Sequence, residues 1–209
     1  QLRPQVDISF PEIEKFDNLP PAKVEGASAF VSIMEGCSKY CSFCVVPYTR
    51  GTEVSRPFED VVVEVAQLAG QGVREINLLG QNVNAYRGPT FDGEVCTFAE
   101  LLRLVAAIDG IERVRVSYLQ PAEMRPELLR AMVETPGVVP YFDLSFQHAS
   151  GPLLRRMRRF GDAEGFLGLI DQVRTASPDA GLRSNVICGF PGETEQDVEV
   201  LADFVTRAQ

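Results

Sequence analysis

Short apolar runs alternate with longer amphipathic segments along most of the chain. The short runs are rich in β-branched and aromatic residues, as strands usually are. Five of them are predicted as strands, at residues 30–34, 75–79, 113–117, 141–146 and 183–187. Each is followed by a segment with apolar residues at helical spacing. The pattern therefore predicts five strand–helix units in succession.

Helix-start signals support the amphipathic segments. Pro57 suits the first turn of a helix, and Glu59 and Asp60 behind it suit the positive end of the helix dipole. Thr97 and Glu100 have the spacing of a capping box. Further helix starts are predicted at Pro126, Asp162 and Thr194, and helix ends at Gly72 and Gly110.

This succession of units predicts the fold class. Parallel strands need crossover connections, which the helices supply. We therefore predict an α/β fold, a partial (β/α) barrel of five strand–helix units. Barrels of this kind carry their chemistry on the loops that follow the strands. Residues 1–28, where prolines are scattered among charges, are predicted to be a linker, and residues 29–209 the core.

Composition narrows the classes of function. The chain has 209 residues and a net charge of −9, which argues against a general nucleic-acid-binding surface. An RNA substrate would then need binding regions outside these residues. No apolar run approaches the ~18 residues that a membrane span needs, and the chain shows no secretion leader, so we expect a cytoplasmic protein with no membrane partner.

Three of the five cysteines lie close together after the first predicted strand. Cys37, Cys41 and Cys44 have the spacing C-x3-C-x2-C. Three thiolates can bind three irons of a 4Fe–4S cluster and leave the fourth iron open. The amino and carboxylate groups of S-adenosylmethionine (SAM) suit such an open iron. One electron from the cluster would then break the S–C5′ bond and release a 5′-deoxyadenosyl radical.

Three alternatives to this cluster stay open for the cysteine loop. A zinc site needs a fourth ligand, and His148 is the only histidine. The thiols could also be unligated, or hold a different three-cysteine cluster. Cys188 stands in an apolar run and is predicted to be a small buried residue. Cys96 stands in a glycine-rich loop, and neither of these two cysteines is assigned to a cluster.

The segments SIMEGC at 32–37, VVPYTRG at 45–51 and VSRP at 54–57 closely resemble the radical SAM methylthiotransferases. NLLGQNVNAY at 77–86 is similar to the MiaB type of that family. The MiaB type adds a methylthio group to C2 of an isopentenylated adenosine beside the tRNA anticodon. This resemblance extends over roughly residues 10–115.

The second part of the chain resembles a different type. VSYLQP at 116–121, DLSFQHAS at 143–150 and RRMRRF at 155–160 look more like the RimO type, over roughly residues 116–205. RimO enzymes methylthiolate an aspartate of a ribosomal protein. We favour tRNA as the substrate because the half that carries the cysteines is MiaB-like, and keep the ribosomal protein as the alternative.

The resemblance implies a particular organisation and chemistry. It places an N-terminal domain with a second, auxiliary 4Fe–4S cluster before the linker, and a sixth barrel strand and a TRAM domain after the last residue. One SAM methylates a sulfur of the auxiliary cluster, and a second SAM supplies the radical that removes hydrogen from the target carbon. An electron donor such as flavodoxin or ferredoxin is implied. Another hypothesis is a cluster- and SAM-binding fragment without transferase activity.

The resemblance also suggests SAM contacts, while no catalytic residue is assigned. Gly189 and Glu193 belong to a loop expected to pack against the adenine. Gln81 and Asn82 end the second strand, where the amino group of SAM is expected, and Ser145 and Gln147 end the fourth, where the ribose is expected. Phe43 of the cysteine loop completes the set. Each polar side chain could equally cap a loop, and the 189–193 segment could be an ordinary turn.

Two further features are expected to be structural. The arginines at 155, 156, 158 and 159 are predicted to form a solvated helix face, with phosphate or an acidic protein surface as the alternative partner. His148 is predicted to make a structural hydrogen bond rather than to transfer protons.

Overall fold

The computed structural model describes residues 15–16, 24 and 26–209. The predicted linker at 1–28 lies mostly outside the described residues. The strands are β1 Ser28–Ser32, β2 Met34–Glu35, β3 Val54–Ser55, β4 Glu75–Leu79, β5 Arg87–Pro89, β6 Val95–Thr97, β7 Arg113–Val116, β8 Tyr141–Asp143 and β9 Gly181–Arg183. The helices are α1 Val46–Thr49, α2 Phe58–Gly70, α3 Phe98–Ala106, α4 Pro126–Glu134, α5 Gly151–Arg156, α6 Ala163–Ala176 and α7 Glu195–Arg207.

Five parallel strands follow one another in chain order. β1, β4 and β7 form a parallel sheet with β4 in the centre, and β8 pairs in parallel with β9. Two isolated parallel bridges, Val114 to Val138 and Leu119 to Leu144, link β7 to the β8 region. Within the described part of the chain this open arc does not close on itself. The fold is therefore the predicted partial (β/α) barrel.

The strand boundaries differ from the predicted ones. The predicted strand at 30–34 divides at Ile33, whose N–H donates to the carbonyl of Leu79 while its own carbonyl accepts from the N–H of Arg56, both at 2.9 Å. The chain thus leaves the parallel sheet there and joins β3 instead. The strand predicted at 183–187 is observed two residues earlier, as β9 at Gly181–Arg183. Beyond β9, an isolated parallel bridge joins Val186 to Gln147.

The predicted helix starts are confirmed. Pro57 precedes α2, and Glu59 and Asp60 lie in its first turn. The capping box of Thr97 and Glu100 begins α3. A second capping box begins α7, where the N–H of Asp197 donates to Thr194 and the Asp197 carboxylate accepts in return.

The core lies between the parallel strands and the helices packed on them. The central strand β4 is buried at Ile76, Asn77 and Leu78 in succession, as expected for a strand covered on both faces. The Asn77 amide donates to the hydroxyl of Ser28 at 3.0 Å, so its buried polar group has a partner. No helix among the described residues is both long and apolar enough to cross a membrane.

The two cysteines outside the loop lie in different environments. Cys96 lies in β6 and is 6% exposed, whereas Cys188 is exposed. The prediction that Cys188 is buried was wrong, because the segment after β9 runs along the open side of the arc. Ser184, Asn185 and Val186 are exposed along the same stretch.

Candidate metal centre and ligand site

The cysteine loop begins at a glycine that no other residue could replace without a clash. Gly36 has a φ of +79°, and a Cβ there would lie 2.7 Å from the carbonyl oxygen of Gly51 and closer still to that of Thr52. The Gly36 N–H donates to Oε1 of Gln81 at 2.7 Å, and the Cys37 N–H donates to the Gly51 carbonyl at 3.2 Å. The loop is therefore fixed to two other segments at its first residues.

The three cysteines of the loop are free thiols, all half-buried. The N–H of Cys44 donates to the carbonyl of Cys41 at 3.0 Å, which folds the loop into a turn. Burial raises the pKa of Cys37, and the negative charges of Glu53, Cys41 and Cys44 add to the rise, against a backbone hydrogen bond at Lys39.

The arrangement fits an iron–sulfur cluster better than a zinc ion. Among the described residues, no three His, Cys, Asp or Glu side chains converge to hold a single metal ion. In a 4Fe–4S cluster each thiolate binds a different iron, so the sulfurs need not converge on one point. His148 faces Ser150 and Glu193, which leaves it unsuited as a fourth zinc ligand. The all-thiol donor set therefore suits the predicted cluster.

The far side of the loop docks on the end of α5. The Ser42 N–H donates to the carbonyl of Met157 at 3.1 Å, and its hydroxyl donates to the carbonyl of Arg156 at 2.9 Å. Arg159 is only 9% exposed, and its Nη1 lies 3.7 Å from Sγ of Cys41. The predicted solvated arginine face was therefore wrong for Arg159, because the chain turns inward after Arg158. The other three arginines are exposed as predicted.

Gln81 and Asn82 follow β4, as the sequence predicts, with different surroundings. Gln81 is exposed, and its Oε1 already accepts from Gly36 of the cysteine loop. Asn82 is 2% exposed, and its Nδ2 lies 3.4 Å from Oε2 of Glu53. Its Oδ1 is buried without a partner among the described residues. Gln81 thus positions the loop, whereas the Oδ1 acceptor of Asn82 is unused among the described residues.

Ser145 and Gln147 lie beyond the end of β8, both half-buried. The Ser145 carbonyl accepts from the guanidinium of Arg159. Gln147 has a φ of 72°, and its N–H donates to the carbonyl of Asn185 at 3.0 Å. Phe43 is 41% exposed on the cysteine loop, so its ring face is accessible. The backbone hydrogen bond of Gln147 thus joins the loop after β8 to the loop after β9.

The loop after β9 is closed by its own glutamate. Oε2 of Glu193 accepts from the N–H of Gly189 at 2.6 Å, and the Glu193 N–H donates to the carbonyl of Phe190 at 2.8 Å. Gly189 has a φ of +77°, and nothing lies within 4 Å of the position a Cβ would take. One side of this turn is thus open for a ligand, while the Glu193 carboxylate is used within the protein.

His148 is fully buried beside that loop. Its Nδ1 accepts from the N–H of Ser150 at 2.9 Å, so in the neutral ring the proton is on Nε2. Nε2 lies 3.1 Å from Oε1 of Glu193, although the angle falls outside hydrogen-bond geometry. The expectation of a structural hydrogen bond for His148 is confirmed.

A cavity of about 250 Å³ is lined by Glu53 and by residues that follow β4 and β7. Glu123 at its wall forms an ion pair with Lys39 of the cysteine loop. Asn84 at the same wall donates to the carbonyl of Gln120 at 2.8 Å and accepts from its N–H at 2.9 Å. Arg87 and Arg125 also line it. The loops after β4 and β7 thus contribute to a charged recess, which the ion pair of Glu123 with Lys39 connects to the cysteine loop.

The structure brings most of the predicted residues to one edge of the arc. The cysteines and Gln81, Asn82, Ser145, Gln147 and Glu193 all follow carboxyl ends of parallel strands, the edge where such folds carry their chemistry. Sequence reasoning missed Glu53, Gln120 and Arg159. For Glu53 and Gln120, the sequence offered one indication, their positions in the loops after the cysteines and after β7. Arg159 offered none, since it stands among three similar arginines.

A family model described as Radical SAM superfamily matches residues 31–205. The chain belongs to this superfamily. The two cofactors of the superfamily are a 4Fe–4S cluster and SAM, which confirms both cofactor predictions.

Within the superfamily, the chain is similar to curated proteins named tRNA-2-methylthio-N(6)-dimethylallyladenosine synthase. It is 60% identical to that of Aeromonas hydrophila over 195 residues, which is 93% of the chain and 41% of the relative. It is 59% identical to that of Yersinia enterocolitica over 196 residues, 94% of the chain and 41% of the relative. The predicted MiaB-type resemblance is confirmed, and the match includes most of residues 116–205. The chain spans about two-fifths of the length of these relatives.

Solved structures agree on the fold. The radical SAM methyltransferase TsrM of Kitasatospora setae, with cobalamin and a [4Fe-4S] cluster bound, matches with a TM-score of 0.65 at 20% identity, over 86% of this chain and 34% of that one. The cobalamin-dependent radical enzyme OxsB matches with a TM-score of 0.65 at 13% identity, over 85% of this chain and 26% of that one.

Proposed function

We propose that the chain is the SAM-cleaving core of an enzyme that methylthiolates isopentenylated adenosine in tRNA. The observation that carries the proposal is the Cys37, Cys41 and Cys44 loop, fixed at the carboxyl edge of a parallel arc. The names of its 60% identical relatives support the substrate. Since the chain spans 41% of their length, we also propose that the auxiliary cluster and the TRAM domain lie in flanking regions. Residues 1–28 would join the auxiliary-cluster domain to the core, and the TRAM domain would lie on the other side.

The roles of the residues follow from their contacts. Cys37, Cys41 and Cys44 would hold the cluster, which when bound supplies the electron that cleaves SAM. Gln81 fixes the loop through Gly36. We assign the remaining predicted residues to the SAM pocket, as follows: Phe43, Asn82, Ser145, Gln147, Gly189 and Glu193. Glu193 would contribute to this pocket by stabilising the turn, because its carboxylate already accepts a hydrogen bond from the N–H of Gly189.

The reaction implies partners and a compartment. Reductive cleavage consumes one electron, so we propose a low-potential donor such as flavodoxin or ferredoxin. A tRNA substrate implies a cytoplasmic enzyme. At a net charge of −9 the chain itself should bind tRNA weakly, and its affinity should fall further with salt.

Anaerobic reconstitution tests the cluster. The expected result is close to four irons and four sulfides per chain, since three thiolates and an open iron define a cubane. Cys41→Ala should lose most of the iron, and Cys188→Ala is the matched control because Cys188 is exposed and outside the loop. Tightly bound zinc without sulfide would contradict the assignment.

The reduced, reconstituted chain should cleave SAM slowly to 5′-deoxyadenosine without inserting sulfur into any substrate. We expect this result because the SAM site is proposed to lie within residues 1–209, whereas the auxiliary cluster is proposed to lie in a flanking region. A methylthio product formed by residues 1–209 alone would overturn the proposed division between core and flanking domains.

A ribosomal-protein aspartate is the second candidate substrate. The resemblance of the segments at 143–150 and 155–160 to the RimO type is the reason to retain it. Ser145 and Gln147 of the first segment are among the residues that we propose for the SAM pocket. The longer protein, with its flanking regions, should be offered isopentenylated tRNA and the ribosomal protein side by side. A methylthio mass gain on the tRNA supports our choice, and a gain on the protein alone reverses it.

A further inference from the structure

Arg159 has an environment unlike that of its neighbour Arg158. α5 ends at Arg156, and Arg158 takes a φ of 56°, which reverses the direction of the chain. The N–H of Arg159 then donates to the carbonyl of Leu154 at 2.8 Å. As a result Arg158 is exposed, whereas Arg159 is 9% exposed and lies against the cysteine loop.

The guanidinium of Arg159 joins three loops. Its Nη2 donates to Oε1 of Gln120 at 2.6 Å, after β7, and to the carbonyl of Ser145, after β8. Its Nη1 donates to Sγ of Cys41 at 3.7 Å. This geometry places a hydrogen-bond donor directly on one of the three proposed iron ligands.

The charge of Arg159 is not balanced by the protein around it. Among the described residues no carboxylate forms an ion pair with Arg159, and its Nε is buried without a partner. A buried cation of this kind is costly unless an anion faces it. The thiolate sulfurs of a bound iron–sulfur cluster would supply that negative charge.

We propose that Arg159 is a positioning residue for the cluster, which raises the reduction potential of the cluster through its hydrogen bond to Cys41 and its positive charge. Reduction adds one negative charge to the cluster, so a cation and an N–H donor at a sulfur ligand stabilise the reduced form. The proposal rests on the cluster assignment made above. It concerns the potential of the cluster and does not depend on which substrate the enzyme modifies.

The test is an anaerobic redox titration of the reconstituted chain, followed by the electron paramagnetic resonance signal of the reduced cluster. Arg159→Gln should shift the midpoint potential to a more negative value while keeping close to four irons per chain. Arg159→Lys keeps the charge and should shift it less. Arg158→Gln is the matched control, because it removes the same charge one residue away, and should leave the potential unchanged.

A second variant covers the case in which Arg159→Gln does not fold. Gln120→Leu keeps a similar side-chain shape but removes the acceptor that holds Nη2, so it should give a smaller shift of the same sign. An unchanged potential in Arg159→Gln, or in Gln120→Leu where the former does not fold, overturns the proposal. So does an equal shift in Arg158→Gln. Failure of the unmodified chain to assemble a cluster would instead contradict the cluster assignment itself.

Discussion

Nε2 of His148 lies 3.1 Å from Oε1 of Glu193, across two loops that follow neighbouring parallel strands. The other oxygen of Glu193 accepts from the N–H of Gly189 at 2.6 Å. One carboxylate thus closes the turn of its own loop through one oxygen and faces the buried histidine of the neighbouring loop with the other. The proposed adenine side of the SAM pocket depends on this pair.

Glu193→Ala should weaken SAM binding by about tenfold or more, because hydrogen bonds to charged groups contribute about 1.5–3 kcal/mol. Glu193→Gln keeps an acceptor for Gly189 and should restore most of the affinity. The measurement is SAM affinity of the reconstituted chain by equilibrium dialysis. Glu195→Ala, at an exposed position in the first turn of α7, is the control. Unchanged affinity in Glu193→Ala would show that the turn is held by other contacts.

Gly36→Ala should destabilise the chain more than Gly93→Ala, measured by urea unfolding. Both glycines have positive φ, so alanine costs about 1–2 kcal/mol at each position. Only at Gly36 does the new methyl group meet backbone oxygens, whereas nothing lies within 4 Å at Gly93. The further loss at Gly36 should be about 1–3 kcal/mol, as for other overpacked sites. Equal losses would mean that the loop can shift away from Thr52.

Asp197→Asn should lower the free energy of unfolding at neutral pH, and this difference should shrink in acid. A hydrogen bond from Ser150, followed by those from Thr194, lowers the pKa of Asp197 to about 2. The folded state therefore favours the charged carboxylate. That stabilisation is complete above pH ~4, where the unfolded group is ionised, and is lost as the pH falls through about 2.

The check on Asp197 is a comparison of urea unfolding at several pH values. Asp171→Asn, at an exposed position of α6, is the control for the loss of one carboxylate. A difference for Asp197→Asn that stays constant from pH 7 to pH 2 would contradict the hydrogen-bonded carboxylate.

Cys96 should react with iodoacetamide far more slowly than Cys188 in the folded chain. Burial raises the pKa of Cys96 to about 11, with further rises from the charges of Glu100 and Glu59, and the thiolate is the reactive form. Cys188 is exposed. Mass spectrometry of peptides after labelling at pH 8 should show a difference of more than about tenfold, which urea should abolish. Equal rates in the folded chain would place Cys188 in a buried environment.

The sequence by itself determined the features that depend on short stretches of chain. The capping box at Thr97, the helix start at Thr194 and the spacing of Cys37, Cys41 and Cys44 involve residues a few positions apart, so the local pattern suffices to find them. The alternation of strands and helices likewise predicts the parallel arc, because each crossover is a local unit. The proposed substrate type rests on sequence resemblance alone.

Only the tertiary structure decided which of several residues of the same type, among the arginines and the cysteines, are buried and which are exposed. Arg158 and Arg159 are adjacent arginines, yet a turn of the backbone exposes one and buries the other against Cys41. Cys188 stands in an apolar run and is nevertheless exposed, since its burial depends on what packs along the open side of the arc. Contacts between residues 118 positions apart, such as that of Arg159 with Cys41, exist only once the strands have aligned, and no local pattern encodes them.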